Sequence, residues 1–147
     1  MTAEALVRYL HENIPLSRAM DVSVVSASAE AVVLSAPLEP NLNVHGTMFG
    51  GSAATLALLA AWSVLHLRLE AEGVSNRLVI HRTETEYLLP VEGYAQASAR
   101  LDNVDWDAFR HTYARRGRAR LTVTAELLYD GKIAARLIGE FVAISEA

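Results

Sequence analysis

The sequence predicts an α+β fold: an antiparallel sheet of five to six strands wrapped around one long central apolar helix. Three observations carry that expectation. Residues 52–69 (SAATLALLAAWSVLHLRL) form one long apolar run, too long for a strand and apolar on nearly all sides of a helix. The strand-like segments come in groups joined by hairpin-length turns, not one by one between helices, so a doubly wound parallel sheet is excluded. The 147 residues are about half apolar and one fifth charged, which suits one ordinary core, and the whole of 1–147 reads as a single domain with no repeat.

Taken in order, Ala3, Leu6, Val7, Leu10 and Ile14 keep helical spacing, and Pro15 stops that helix. Residues 22–27 and 31–36 are small and β-branched around a polar break at 28–30, a hairpin signature. Pro37 and Pro40 bound a loop leading to glycines 50 and 51. On the long helix Ser52, Thr55, Ser63, His66 and Glu70 fall on one narrow stripe, with Leu59 in its middle, and Gly73 marks the end. Strands are expected at 78–89 and 94–101. Residues 102–116 form a polar connection carrying Trp106, Phe109 and Tyr113 at helical spacing. Residues 121–127 alternate, Asp130-Gly131 is a tight-turn signal, and 132–144 returns as the partner strand.

Composition excludes several classes. The chain has no cysteine, hence no disulfide, thiolate nucleophile or thiolate metal site. Its five histidines lack metal-ligand spacing, and no phosphate-loop or dinucleotide pattern occurs, so no metal and no cofactor are expected. A net charge of −4 argues against a nucleic-acid partner. Residues 52–69 are interrupted by Ser, Thr, His and Arg and lack an aromatic belt, so a buried helix is expected, not a membrane span. The first residues lack the basic and apolar regions of a signal peptide, and a cytoplasmic location is the expectation. An open sheet leaves edges that commonly pair across a two-fold axis, so a homodimer is the expected minimum and a dimer of dimers is open.

The stretch Asn41-Leu-Asn43-Val-His45-Gly46-Thr47-Met48-Phe49-Gly50-Gly51-Ser52, followed by the apolar helix, resembles the hotdog-fold thioesterase superfamily. Tyr87-Leu-Leu-Pro90-Val-Glu-Gly93 and Gly117-Arg118-Ala119-Arg120 are further matches. The likeness is nearest to the thioesterase family found alone or as the C-terminal half of acetyltransferase fusions. It implies a hotdog fold, a coenzyme A or acyl-carrier thioester as substrate, and hydrolysis at the amino end of the central helix. Two departures stand out: Phe49-Gly50-Gly51 replaces the common His-Gly-Gly, and Leu58 occupies the helix position where many relatives carry Asp or Glu.

The first amides of a helix have no intrahelical acceptor and lie at the positive end of its dipole, and glycines let a carbonyl approach them. Gly50 and Gly51 therefore suit an oxyanion hole; the competing role is close helix–sheet packing. Asn43 would hold a water or the substrate carbonyl, or else bond its own loop. His45 would act as a general base, or sit solvated. Phe49 would line the acyl pocket or pack the core, and Ser52, a helix-entry residue, and Thr55 are further substrate-binding candidates. Alternation puts Arg82, Glu84 and Glu86 on one strand face. Closer relatives often carry Asp and His where this chain has Arg82 and Glu84. The resemblance thus implies Glu84 as the candidate carboxylate base with Arg82 orienting it or binding the substrate, against a charged edge strand that serves only to resist aggregation. Arg110, Arg115, Arg116, Arg118 and Arg120 concentrate positive charge, with Arg115, Arg116 and Arg118 the candidates for gripping phosphate of coenzyme A or a carrier's phosphopantetheine, against a solvated face balanced by Asp102, Asp105 and Asp107. Two functions follow: an acyl-thioester hydrolase, or a non-catalytic acyl-CoA or acyl-carrier binding module on the same fold.

Overall fold

The computed structural model describes residues 1–146. Helix α1 (Ala3–Asn13) is capped by Thr2, whose hydroxyl accepts from Ala5 N–H at 3.1 Å, and it buries Leu6 and Leu10. Pro15 ends α1 as expected, but it also opens a short second helix, α2 (Pro15–Ala19). Proline fits a first helical turn because the N–H it lacks has no acceptor there. Strands β1 (Ser23–Ala27) and β2 (Ala31–Ala36) follow as a hairpin, then a 3-10 turn (Glu39–Asn41) and the central helix α3 (Gly50–Ala71). Next come β3 (Arg77–Tyr87), β4 (Ala95–Arg100), α4 (Trp106–Arg116), β5 (Arg118–Tyr129) and β6 (Lys132–Ile144). The polar connection 102–116 is thus largely a helix, opened by the Asp105 carboxylate cap and closed by Gly117 at φ 71°.

The six strands form one antiparallel sheet in the order β1-β2-β4-β5-β6-β3. Asp130 and Gly131 both have positive φ (52° and 73°), the conformation a two-residue hairpin turn of primed type requires, and they pair β5 with β6 along nearly their full length. The sheet wraps α3. Ala95, Ala97 and Ala99 on β4 are fully covered, and their small side chains let the helix lie close to the sheet, while Phe141 and Leu137 of β6 fill the space beside it. By length and composition α3 would span a membrane, yet most of its apolar window is buried against the sheet. The stripe of Ser52, Thr55, Ser63, His66 and Glu70 is not one solvated face. Ser63 and Leu59 are buried, and His66 stacks against Trp62 and Tyr9 of α1 at ring separations of 4.7 and 5.0 Å.

The carboxyl end of α3 is clamped to α4. Glu72 accepts from Arg68, Trp106 and Arg110, and the Tyr113 hydroxyl donates to Ser75 C=O at 2.7 Å. Burial alone would raise the Glu72 carboxyl, but hydrogen bonds from Arg68 and Trp106 and the charges of Arg110 and Arg68 outweigh it and hold it below its ordinary 4.5. Burial lowers His66 below its ordinary 6.5, with Glu70 opposing and the N-terminal ammonium adding. Both groups bind protons more readily in the unfolded chain, so both favour the fold at high pH. Stability is expected to be flat above pH 7, to fall as pH drops below 6.5 while His66 resists protonation, and to fall again as Glu72 is neutralised. Denaturant midpoints across pH 4–8 check this; His66→Gln removes the upper step and Glu72→Gln the lower.

Candidate active site at the amino end of the central helix

The nine residues before α3 form a small closed hairpin. Leu42 bridges Met48, Asn43 N–H donates to Thr47 C=O at 2.8 Å, and Phe49 N–H donates to Asn41 C=O at 2.7 Å. Met48 N–H ties the hairpin to Val91 C=O at 2.8 Å. Asn41 anchors it from below. Its side chain is 2% exposed, and its Nδ2 donates to Met20 C=O (2.9 Å) and Pro37 C=O (2.8 Å). Two carbonyls facing one nitrogen fix the orientation of the amide, leaving its Oδ1 buried and without a partner.

Helix α3 starts at Gly50 with Phe49 as N-cap and no side chain capping it, so the amides of Gly50, Gly51 and Ser52 have neither intrahelical acceptor nor cap. The two glycines face different neighbours. Tyr87 lies over Gly50, its hydroxyl donating to Gly50 C=O at 2.9 Å, and a Cβ at this glycine would sit 3.5 Å from the ring. The Phe49 ring lies over Gly51, where a Cβ would meet Cε2 at 2.4 Å, so only glycine fits while the ring is in place. Phe49, Ser52 and Thr55, named from the sequence, line one cleft beside the helix together with Asn41 and α2. On the other side lies a different cleft, formed by Ala53, the segment 87–91 and the alanines 134 and 135.

Asn43 does not point a free amide at this site. Its Oδ1 accepts from His45 N–H (2.7 Å) and Thr47 N–H (3.2 Å), and its Nδ2 donates to Thr47 Oγ1 at 2.7 Å. It is the pin of the loop. His45 is exposed at the hairpin tip. Glu84 is on the wrong face. It pairs with Ile138, and directly opposed residues of antiparallel strands share a face. Leu137, the next residue, is buried against α3, so Ile138 and Glu84 point away from the helix, with Glu86 and Arg136 as neighbours in an outer groove. Arg82, opposite Glu140, shares that outer face. It is Thr83, Thr85 and Tyr87 that face the α3 side.

The arginines are remote as well. Arg118 and Arg77 both pair with Ile144, at the end of the sheet opposite Tyr87. At ~3.4 Å per strand residue, this puts Arg115, Arg116 and Arg118 roughly 30 Å from Gly50 within one chain. Arg116, Arg118 and Arg120 line a groove of their own with Thr112 and Val142. Arg110 is not part of it but is spent on Glu72. Among the described residues no cluster of three histidine, aspartate or glutamate side chains has metal-binding geometry.

Sequence reasoning missed Asn41's anchoring role and the cleft lined by Tyr87, Leu88, Leu89 and Ala135. The Tyr87-to-Pro90 segment was legible as a match, but its position against Gly50 depends on strand pairing far along the chain.

A wrapped sheet, a buried central helix and an open amino end flanked by clefts define a hotdog-type thioesterase domain. Residues 3–145 match the putative thioesterase (yiiD_Cterm) family, and the chain belongs to it. Solved structures agree. It is similar to a putative thioesterase from Shewanella oneidensis (29% identity, TM-score 0.86, covering 97% of this chain and 96% of that one). It is also similar to a protein of unknown function from Chlorobaculum tepidum (25% identity, TM-score 0.92, 98% and 94% covered). A Pseudomonas aeruginosa protein of unknown function, described as a probable thioesterase, shares the fold at 22% identity (TM-score 0.82, 97% and 96% covered).

Proposed function

We propose that this chain hydrolyses acyl thioesters of coenzyme A or of an acyl carrier protein, as a homodimer joined along β3. The observation that carries this reading is the uncapped start of α3, where the amides of Gly50, Gly51 and Ser52 open between two clefts in a member of a thioesterase family. A thioester carbonyl seated there gains negative charge as water adds to its carbon, and donors fixed at that oxygen stabilise the transition state more than the ground state. The C–S bond then breaks, the acid leaves and the thiolate takes up a proton. His45 is the base in this reading, because Asn43 is committed to its loop and Glu84 faces away.

The dimer follows from β3. It is an eleven-residue edge strand, exposed along both faces, with Ile80 40% exposed on the α3 side. A long edge of this kind is a template for a second copy. Antiparallel pairing of two β3 strands reverses one against the other, so it carries the arginine end of one protomer toward the Tyr87 end of its partner. This is how Arg115, Arg116 and Arg118 would reach the phosphates of a coenzyme A held at the partner's helix. Ile80→Asp is expected to raise the dimer dissociation constant about a hundredfold, ~3 kcal/mol, by placing a charge in the joint. Sedimentation with unchanged circular dichroism checks it.

The direct test of activity is free-thiol release from a panel of acyl-CoAs. Release that falls with changes at Gly50 supports hydrolysis; no release from any thioester overturns it. One observation favours the binding-module reading: neither cleft beside the amino end of α3 has an aspartate or glutamate in its lining, Leu58 stands two turns into the helix, and Glu84 lies on the outer face of β3. Calorimetric binding of acyl-CoA without thiol release is the signature of that case.

A further inference from the structure

The two clefts at the start of α3 differ in chemistry. The first, of about 290 Å³, is lined by Met48, Ala53, Leu88, Leu89, Ala134 and Ala135. The one polar side chain on its lining is Tyr87, and that hydroxyl is already spent on Gly50 C=O. Its floor is fixed. Ala134 and Ala135 are buried, and Ala134 C=O accepts from both Leu88 N–H (2.8 Å) and Leu89 N–H (3.1 Å), locking wall to floor. The second cleft, of about 280 Å³, carries Asn41, Ser52 and Thr55 among its apolar residues. The Phe49 ring over Gly51 belongs to this second cleft, whereas Gly50 abuts the first.

We infer that the cleft between Ala53, Leu89 and Ala135 is the acyl-chain site and sets chain length, favouring saturated chains of medium length. The amide-bearing arm of the thiol then runs along the Ser52–Thr55 side. This rests on the thioester reading above. A hydrocarbon chain has no hydrogen bond to offer and gains only from leaving water, so the cleft without free polar side chains is its natural seat. A pantetheine arm carries amides, which need hydroxyl or amide partners when covered. The cleft has room for on the order of ten groups the size of a water or methylene, at ~30 Å³ each. The alanine floor is the stop, because β-carbons there leave the space that larger side chains would fill.

The test is kcat/KM for thiol release from straight-chain acyl-CoAs, acetyl to palmitoyl, with the full chain. Wild type is expected to rise to chains of about ten carbons and to fall beyond them. Leu89→Ala, at a half-exposed wall position that does not carry the fold, is expected to raise the palmitoyl-to-octanoyl ratio about tenfold. Ala135→Val, at the floor, is expected to lower the octanoyl-to-butyryl ratio about tenfold. If thiol is not released, the same ratios are read as dissociation constants of thioether analogues. Turnover with both ratios unchanged within about twofold overturns the chain-length inference and leaves hydrolysis standing. Binding without turnover and with both ratios unchanged overturns the chain-length inference and hydrolysis and leaves the binding module. Neither release nor binding of any acyl derivative overturns the inference and both functional readings.

Discussion

Gly50→Pro is expected to fold normally and to lower kcat for thioester hydrolysis about 10²–10³-fold, the usual cost of losing one oxyanion donor, ~3 kcal/mol. Gly50 is the first residue of α3, where proline is accommodated because its fixed φ suits the helix and its missing N–H has no acceptor. Phe49, which precedes it, already has φ −57° and ψ 133°, the extended region a residue before proline requires. A side chain at this glycine meets Tyr87 at an ordinary 3.5 Å. The substitution therefore deletes one hydrogen atom's worth of chemistry and little else. Gly50→Ala keeps that hydrogen and serves as the control for the added bulk. Unaltered thermal unfolding with lost turnover identifies the amide as a donor; equal activity in Pro and Ala variants removes Gly50 from the oxyanion hole.

Asn41→Asp is expected to destabilise the fold by about 3 kcal/mol at pH 8, and by less at pH 5. The change keeps the shape of the side chain but replaces a two-proton donor with an acceptor, 2.8–2.9 Å from the carbonyls of Pro37 and Met20 and out of water. An ionised carboxylate there faces two carbonyl dipoles; a protonated one donates to one of them. Its folded pKa is therefore raised above the unfolded value, so the deficit is smallest below the unfolded pKa and grows as pH rises through the folded one. Denaturant midpoints at the two pH values measure this, and a deficit independent of pH would show that the amide protons are not what holds the loop.

The elements that were legible in the sequence are those encoded by local periodicity. The apolar run of α3, the Asp130-Gly131 turn and the 31–36 strand need only near neighbours to be recognised. Pro15 shows the limit of that reading: proline is equally a stop for one helix and a start for the next, and here the short helix that follows buries Ser17 and its C-cap Met20. At the site, Gly50, Gly51, Phe49, Ser52 and Thr55 were found together because they are adjacent in the chain. Glu84 was misplaced for the opposite reason. Alternation separates the faces of a strand but does not say which face meets the helix; that is decided by the pairing of Thr85 with buried Leu137. The arginine cluster was likewise visible as composition, while its distance from Gly50 depends on sheet order.

The tight turn between β5 and β6 also bears on the order in which the chain folds. That hairpin closes the shortest loop in the sheet, so its formation costs the least chain entropy and it is the natural first structure. Pairing β3 with β6 closes a far longer loop, the one that carries β4, α4 and β5, since Tyr87 meets Ala135 across that whole stretch. The β3 edge, the one proposed above to meet a second copy, is therefore expected to be completed after that hairpin.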